Sequence, residues 1–389
     1  MPVNSGRRYD AVIHRGGESG ILRDIQGKLQ DRQRLAAPLK GLNVIINSPI
    51  SRPHTYRTMI IRRTHSEHNI AEYLNSVPFT VDPQDVYTAG SLYAGFDPSD
   101  PSSFTSCYDQ QVYRHYIDTG KVTDSPMEAL ARNLHDFCMV QNMKRLLAQY
   151  DKCSVVAVMG GNAMKRNDAA YEKIARISRK LTELGSLMVS GGGSGAMEAT
   201  GFGAWMAGRS EEEFAEALSR LAAVPSQKDK DYLTTSFGIL HDYPQHTFRN
   251  LSIPTWLYGH EWTSPFATHI AKLFENSVRE DTLLTIAYGG IIYAPGRAGT
   301  IQEVFQEAVQ NHYLTFGFAS PMVFLDSKFW NETTPLYPLL TDLMRKGIYK
   351  NLLLSLTDDP DEAVATIMQF RQTCSGKSLP VANSISHRI

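Results

Sequence analysis

The chain of 389 residues is long enough for one large domain or two modest ones, each with a substantial buried core. Its 39 basic residues stand against 40 acidic ones, so no overall basic field argues for a nucleic-acid polymer as partner. The apolar runs fall far short of a bilayer span and the polar opening from Met1 to Arg15 lacks a signal-peptide apolar segment, so a cytoplasmic protein with no membrane partner is expected.

Residues 1 to about 40 are polar and charged, with a helix expected near Ile21 to Leu35. Gly41 to Pro49 reads as a strand ending in a turn. Arg52, Arg57, Arg62 and Arg63, interleaved with His54, His65 and His68, form a cationic stretch that suits either a solvated face or an anion or effector site. Gly95 to Ser106 reads as loop. Ser125-Pro126-Met127-Glu128 has the N-cap, N1 and N3 residues of a helix start, and the helix extends toward Tyr150.

From Ser154 the rhythm becomes regular. Ser154–Met159 is an apolar strand ended by Gly160-Gly161-Asn162, and Tyr171, Ile174, Ile177, Leu181 and Leu184 make a helical stripe stopped by Gly185. Leu187–Ser190 is the next strand, followed by Gly191-Gly192-Gly193-Ser194-Gly195-Ala196-Met197 and a small-residue helix through Trp205. Ser210 to Leu221 is a capped helix, whereas Gln227 to Asn250 carries no clear pattern. A short strand is expected at Ile253–Leu257 and a helix over about Ala267 to Leu284. Strands at Pro321–Leu325 and Leu352–Leu356, a helix at Leu336–Lys346 and a final helix opened by Asp359-Pro360 complete the series. The alternation over 154–370 predicts a doubly wound parallel sheet with helices on both faces, a Rossmann-like α/β fold, preceded by an α/β or mainly helical extension. The expected division is 1–150 for the extension, with a regulatory or dimerisation role, 151–372 for the Rossmann-like domain and 373–389 for a loose tail.

The most informative stretch is Ile291 to Glu303. Ile291-Ile292-Tyr293 is a buried strand; Pro295, Gly296 and Gly299 break it; Ile301, Val304, Phe305, Ala308 and Val309 then recur at helical spacing. Thr300 and Glu303 stand at capping-box spacing. A strand that delivers a glycine loop onto a helix N-terminus offers unpaired N–H groups and partial positive charge to a phosphate or another anion. Neither glycine loop has the GxxxxGK[ST] pattern of a P-loop, and Glu198 stands where a dinucleotide fingerprint would place its third glycine.

Gly191 to Met197 and Pro295-Gly296-Arg297-Ala298-Gly299-Thr300-Ile301-Gln302-Glu303 together resemble the GGGxxGxM and PGGxGTxxE signatures of the LOG family of nucleotide phosphoribohydrolases, once described as lysine decarboxylases and related to bacterial nucleotide 5′-monophosphate nucleosidases. The first loop is one residue shorter than the signature, and Arg297 replaces the second glycine of PGG. The resemblance spans about 153–370. It implies a nucleoside 5′-monophosphate substrate, an N-glycosidase reaction without a cofactor or metal, and a homodimer or higher homo-oligomer. It also implies that Glu303 and Arg279, which lies sixteen residues before Pro295, are catalytic. Gly160, Gly161, Asn162, Gly191, Gly192, Gly193, Ser194, Gly195, Met197, Pro295, Gly296, Arg297, Ala298, Gly299 and Thr300 are then the substrate- and phosphate-binding residues.

Other readings attach to single residues. Glu198 suits a second site carboxylate or a helix N-terminal charge, Lys165 and Arg166 a phosphate contact or solvated cations, and Arg297 a phosphate contact or a pocket filler. His260-Glu261 and His269 lack HExxH spacing and make a weak metal set. Cys107, Cys138, Cys153 and Cys374 lack CxxC spacing and read as reduced thiols. The alternative function is a non-catalytic nucleotide-binding sensor on the same fold, motivated by Arg297 and the extension. An amino-acid decarboxylase is disfavoured, because no lysine is evidently placed for a Schiff base against a pyridoxal phosphate site.

Overall fold

The computed structural model describes Leu42–Ile45, Ile60–Arg63 and residues 67–375. The expected helix near Ile21 to Leu35 lies outside the described residues, as does the Arg and His stretch of 52–68 apart from the backbone of Ile60–Arg63 and of the helix start at 67 and 68.

Two compact units divide at Asn75 and Ser76, not near 150 as the sequence suggests. In the first, β1 (Leu42–Ile45) pairs antiparallel with β2 (Ile60–Arg63), and α1 (Glu67–Ser76) begins. The second unit begins at Ser76, and its first helices are α2 (Ala89–Leu92), α3 (Tyr108–Asp118) and α4 (Pro126–Leu147). Of these, α3 and α4 are tied to the sheet by buried polar contacts: Trp256 Nε1 donates to Asp109 at 2.9 Å, and the amides of Phe274 and Glu275 donate to Asp136.

The sheet of the second unit has seven parallel strands. They are β3 (Val155–Met159), β4 (Leu187–Ser190), β5 (Asn250–Ser252), β6 (His269–Ile270), β7 (Ile291–Tyr293), β8 (Pro321–Leu325) and β9 (Leu353–Thr357), in the spatial order β6-β5-β4-β3-β7-β8-β9. The chain starts in the middle at β3, steps outward to β6, returns to place β7 on the other side of β3, and steps outward again. This is the Rossmann-like doubly wound fold, with helices on both faces of the sheet. Its topological switch point lies between β3 and β7, where Ala157 pairs with Ile291 and Met159 with Tyr293. Every residue of β3, β4, β7 and β8 is buried, as a strand covered on both faces requires.

Helix α5 (Ala169–Glu183) packs along α6 (Ala196–Trp205) so closely that Gly203 has no room for a side chain against the Ala175 backbone. Ile174, Ile177, Leu181, Phe202 and Ile367 are among the side chains that fill the core there. Helix α7 (Glu211–Ala222) is capped by Ser210 in a capping box with Glu213.

Four local expectations are corrected. The 227–250 segment contains a helix, α8 (Tyr232–Asp242). The strand expected at Ile253–Leu257 lies earlier, at β5, with a 3₁₀ turn at Trp256–Tyr258. The helix expected from Ala267 is α9 (Asn276–Thr285) only, since Phe266–Phe274 is a mostly buried run that includes β6 and has no solvent face for an amphipathic helix. Cys153 and Cys374 are not free thiols: they form a disulfide between the segment leading into β3 and the last helix (Pro360–Ser375), with Cα atoms 6.2 Å apart.

Candidate functional site

Three loops meet at the carboxyl ends of β3, β4 and β7, in the crevice where doubly wound sheets bind ligands. They are interlocked through backbone. The Gly161 amide donates to Pro295 O at 3.0 Å, and the Ala196 amide donates to Gly161 O at 3.2 Å. Gly160 is wedged between Ala196 and Ala294, so that a Cβ there would stand 2.6 Å from one and 3.0 Å from the other. Gly195 has φ +66° and lies against the Gly161 carbonyl, which leaves neither the conformation nor the space for a side chain.

The loop after β7 feeds helix α10 (Ala298–Tyr313), whose N-cap is Arg297 without a side-chain cap. The helix therefore begins two residues before the expected Thr300, and the capping box between Thr300 and Glu303 does not form. Thr300 is buried with its side chain folded onto Gly296, where any Cβ would collide with it. The amides of Ala298, Gly299 and Thr300 open the helix, where the helix geometry supplies no intrahelical acceptor. Arg297 is exposed, so it does not fill the pocket.

Glu303, one turn further on, is partly buried. Burial pushes its carboxyl up to about 7; the Arg279 guanidinium draws it down, and Glu280 pushes it up again. Arg279, on α9, donates from Nε to Ile253 O at 3.0 Å. Its guanidinium lies over Gly191, where a Cβ would collide with Nη2 and stand 2.7 Å from Met197 Sδ. Burial lowers the Arg279 pKa, and Glu303 opposes that effect. No ion pair joins Arg279 and Glu303 among the described residues, yet each feels the charge of the other. The structure thus brings the two expected residues and the glycine loops to one crevice.

Helix α9 is placed from outside the Rossmann-like frame. Asp136, on the helix Pro126–Leu147, accepts from the Phe274 amide at 3.0 Å and from the Glu275 amide at 2.8 Å, directly before α9. His135 Nδ1 lies 2.9 Å from the same carboxylate and its Nε2 3.0 Å from the Tyr87 phenol oxygen, Oη. Glu280 Oε2 accepts from Gln302 at 2.9 Å, which ties α9 to α10.

Glu198 stands in the first turn of α6, as the helix N-terminal reading expects, and is fully buried behind the glycine loop. It accepts from Arg166 Nε at 2.8 Å and Nη2 at 2.6 Å, from Tyr232 Oη at 2.7 Å and from Tyr171 Oη at 3.1 Å. Arg166, equally buried, also donates to Tyr232 O and to Ser236 and lies 3.3 Å above the Tyr232 ring centroid. It is neither a phosphate contact nor a solvated cation. Lys165 is exposed.

A narrow cleft of about 50 Å³ runs beside Gly191–Gly193 and Arg279, with Tyr258, Glu261 and Trp262 on its other wall. Lys272 also lines it, held by Asp109 Oδ1 at 2.7 Å and by Thr263 Oγ1 at 2.8 Å. A larger cavity of about 400 Å³ lies apart from these loops, among Arg176, Arg179, Lys180 and Glu211, whose charges are already paired on the surface. Among the described residues no group of three or more His, Cys, Asp or Glu is placed to hold a metal ion. Likewise, no described helix is long and apolar enough to cross a membrane. Sequence reasoning missed Asp136, Asp109 and Lys272, whose roles depend on contacts between distant segments, and weighed Glu261 only as a metal ligand.

No family model matches the chain, and no curated protein matches it. Among solved structures, the molybdenum cofactor binding protein from the phototrophic bacterium Rippkaea orientalis is similar at 13% identity, over 55% of this chain and 95% of that one, with a TM-score of 0.34.

Proposed function

We propose that the chain hydrolyses the N-glycosidic bond of nucleoside 5′-monophosphates, releasing a free base and ribose 5-phosphate. The observation that carries this reading is Glu303, a shielded carboxyl facing the charge of Arg279 one turn after a glycine loop that opens a helix. The amides of Ala298 to Thr300 suit the 5′-phosphate, which fixes the ribose by distance. As the base departs, the ribose gains oxocarbenium character, and the Glu303 carboxylate stabilises that charge and orients water toward the anomeric carbon. Arg279 holds a ribose hydroxyl or phosphate oxygen. The protein acts as a homodimer in this proposal, which light scattering tests directly: a monomer would refute that part.

The decisive experiment incubates the protein with purine and pyrimidine monophosphates and follows free base by chromatography. Hydrolysis lost in Glu303→Ala supports the mechanism; hydrolysis retained in that variant, or no hydrolysis by the wild type, refutes it. Nucleotide binding without turnover would support the sensor instead.

A further inference from the structure

The wall opposite Gly191–Gly193 contains an unspent acceptor. Glu261 Oε1 accepts from Asn162 Nδ2 at 2.7 Å, which fixes the carboxylate, whereas Oε2 has no hydrogen bond among the described residues. Oε2 lies only 3.7 Å from where a Cβ on Gly193 would stand. An anionic group so close to that loop repels phosphate and attracts N–H donors. Lys272 does not cancel it, being committed to Asp109 and Thr263. The phosphate therefore belongs at the other end of the crevice, on the Ala298–Thr300 amides, and the base belongs beside Glu261. Tyr258 and Trp262 add aromatic surface there, and Trp262 is fixed by its indole N–H donating to Gln227 O at 3.1 Å and by its ring lying 4.0 Å from that of Phe104.

Resting on the hydrolase reading above, we infer that Glu261 determines base specificity, and that the substrate is a nucleotide whose base presents two adjacent N–H donors, as guanine does at N1 and its exocyclic amine. Such an edge satisfies the carboxylate with two parallel hydrogen bonds, one to the free Oε2 and one to the second lone pair of Oε1. Adenine sets an acceptor beside its amine and leaves one carboxylate oxygen facing a lone pair. A site that hydrogen-bonds its substrate rejects an analogue lacking the donor far more strongly than an apolar pocket rejects a missing methylene.

The test measures kcat/KM for GMP and AMP with wild type and Glu261→Gln. GMP is expected to exceed AMP by about 100-fold in the wild type, and the ratio to fall by at least about tenfold in the variant, whose amide offers one donor and one acceptor. Equal use of the two nucleotides by the wild type, or an unchanged ratio in Glu261→Gln, would overturn the assignment. If neither nucleotide is hydrolysed, the reaction has been misread, and calorimetric Kd values for GMP and AMP with both proteins decide on Glu261 by the same ratios.

Discussion

Exchanging Glu303 for Gln removes one ionisable group from the crevice while keeping its size. The folded protein holds that carboxyl at about 7 against an ordinary value of 4.5. The folded state thus binds the proton more tightly than the unfolded one, a contribution that is complete below the unfolded value and is lost as pH rises through about 7. At ~1.4 kcal/mol per tenfold change in proton affinity, the rise from 4.5 to about 7 sets a ceiling of about 3.5 kcal/mol on the destabilisation by ionised Glu303 above pH 8. Solvent reaching this partly exposed residue trims it to about 2 kcal/mol. Glu303→Gln, which resembles the protonated acid, should therefore match the wild type at about pH 4. At pH 8.5 it should melt about 3 °C higher, by the size scaling of unfolding entropy. Paired thermal scans by circular dichroism at the two pH values check this. Hydrolysis should be lost in the variant, and wild-type activity should rise with pH through about 7 as the carboxylate forms. A melting difference that is constant with pH, or that shrinks as pH rises, would refute the account of Glu303.

Glu307 is buried, its carboxyl raised to about 7 by burial and bonded to Ser320 at 2.6 Å, so Glu307→Gln should stabilise at alkaline pH in the same scans without the loss of hydrolysis. Glu198→Ala leaves Arg166 buried without its carboxylate and should cost about 3–5 kcal/mol in denaturant unfolding, with Glu198→Gln milder. Gly191→Ala puts a methyl into the Arg279 guanidinium; kcat should fall about 10- to 100-fold while the melting temperature changes little, since the flexible side chain yields before the backbone does. Asp136→Ala frees two backbone amides ahead of α9 and should cost about 2–4 kcal/mol, with Asp136→Asn restoring part of it in the same unfolding assay.

The parallel sheet was legible because its central strands are short apolar runs bounded by glycine or proline turns, and burial on both faces demands that composition. The proximity of Glu303 to Arg279 was legible only through the resemblance of the two glycine loops to known signatures, as nothing in helical periodicity places α9 beside α10. Segments that bury polar groups misled the reading. β5 was placed too late because Asn250 looks like a loop residue, yet its side-chain amide donates to Phe266 O at 3.0 Å and is buried in the sheet. The 267–274 run was read as the start of a helix, whereas it is mostly buried and its Lys272 is held against Asp109. Such long-range partners leave no local pattern. The early start of α10 escaped notice because Ala298 and Gly299 read as loop, and its N-cap, Arg297, has no capping side chain.

The wedging of Gly160 against Ala196 and Ala294, and of Gly195 against Gly161, has a consequence for how the site can diversify. Three backbones in mutual contact leave no side chain to exchange, so the floor of the crevice is closed to point mutation. The segment 254–263 carries full side chains along the opposite wall, including the half-exposed Tyr258. A descendant of this chain, natural or selected in the laboratory, would acquire a new ligand preference by varying that wall while the glycine floor stayed unchanged.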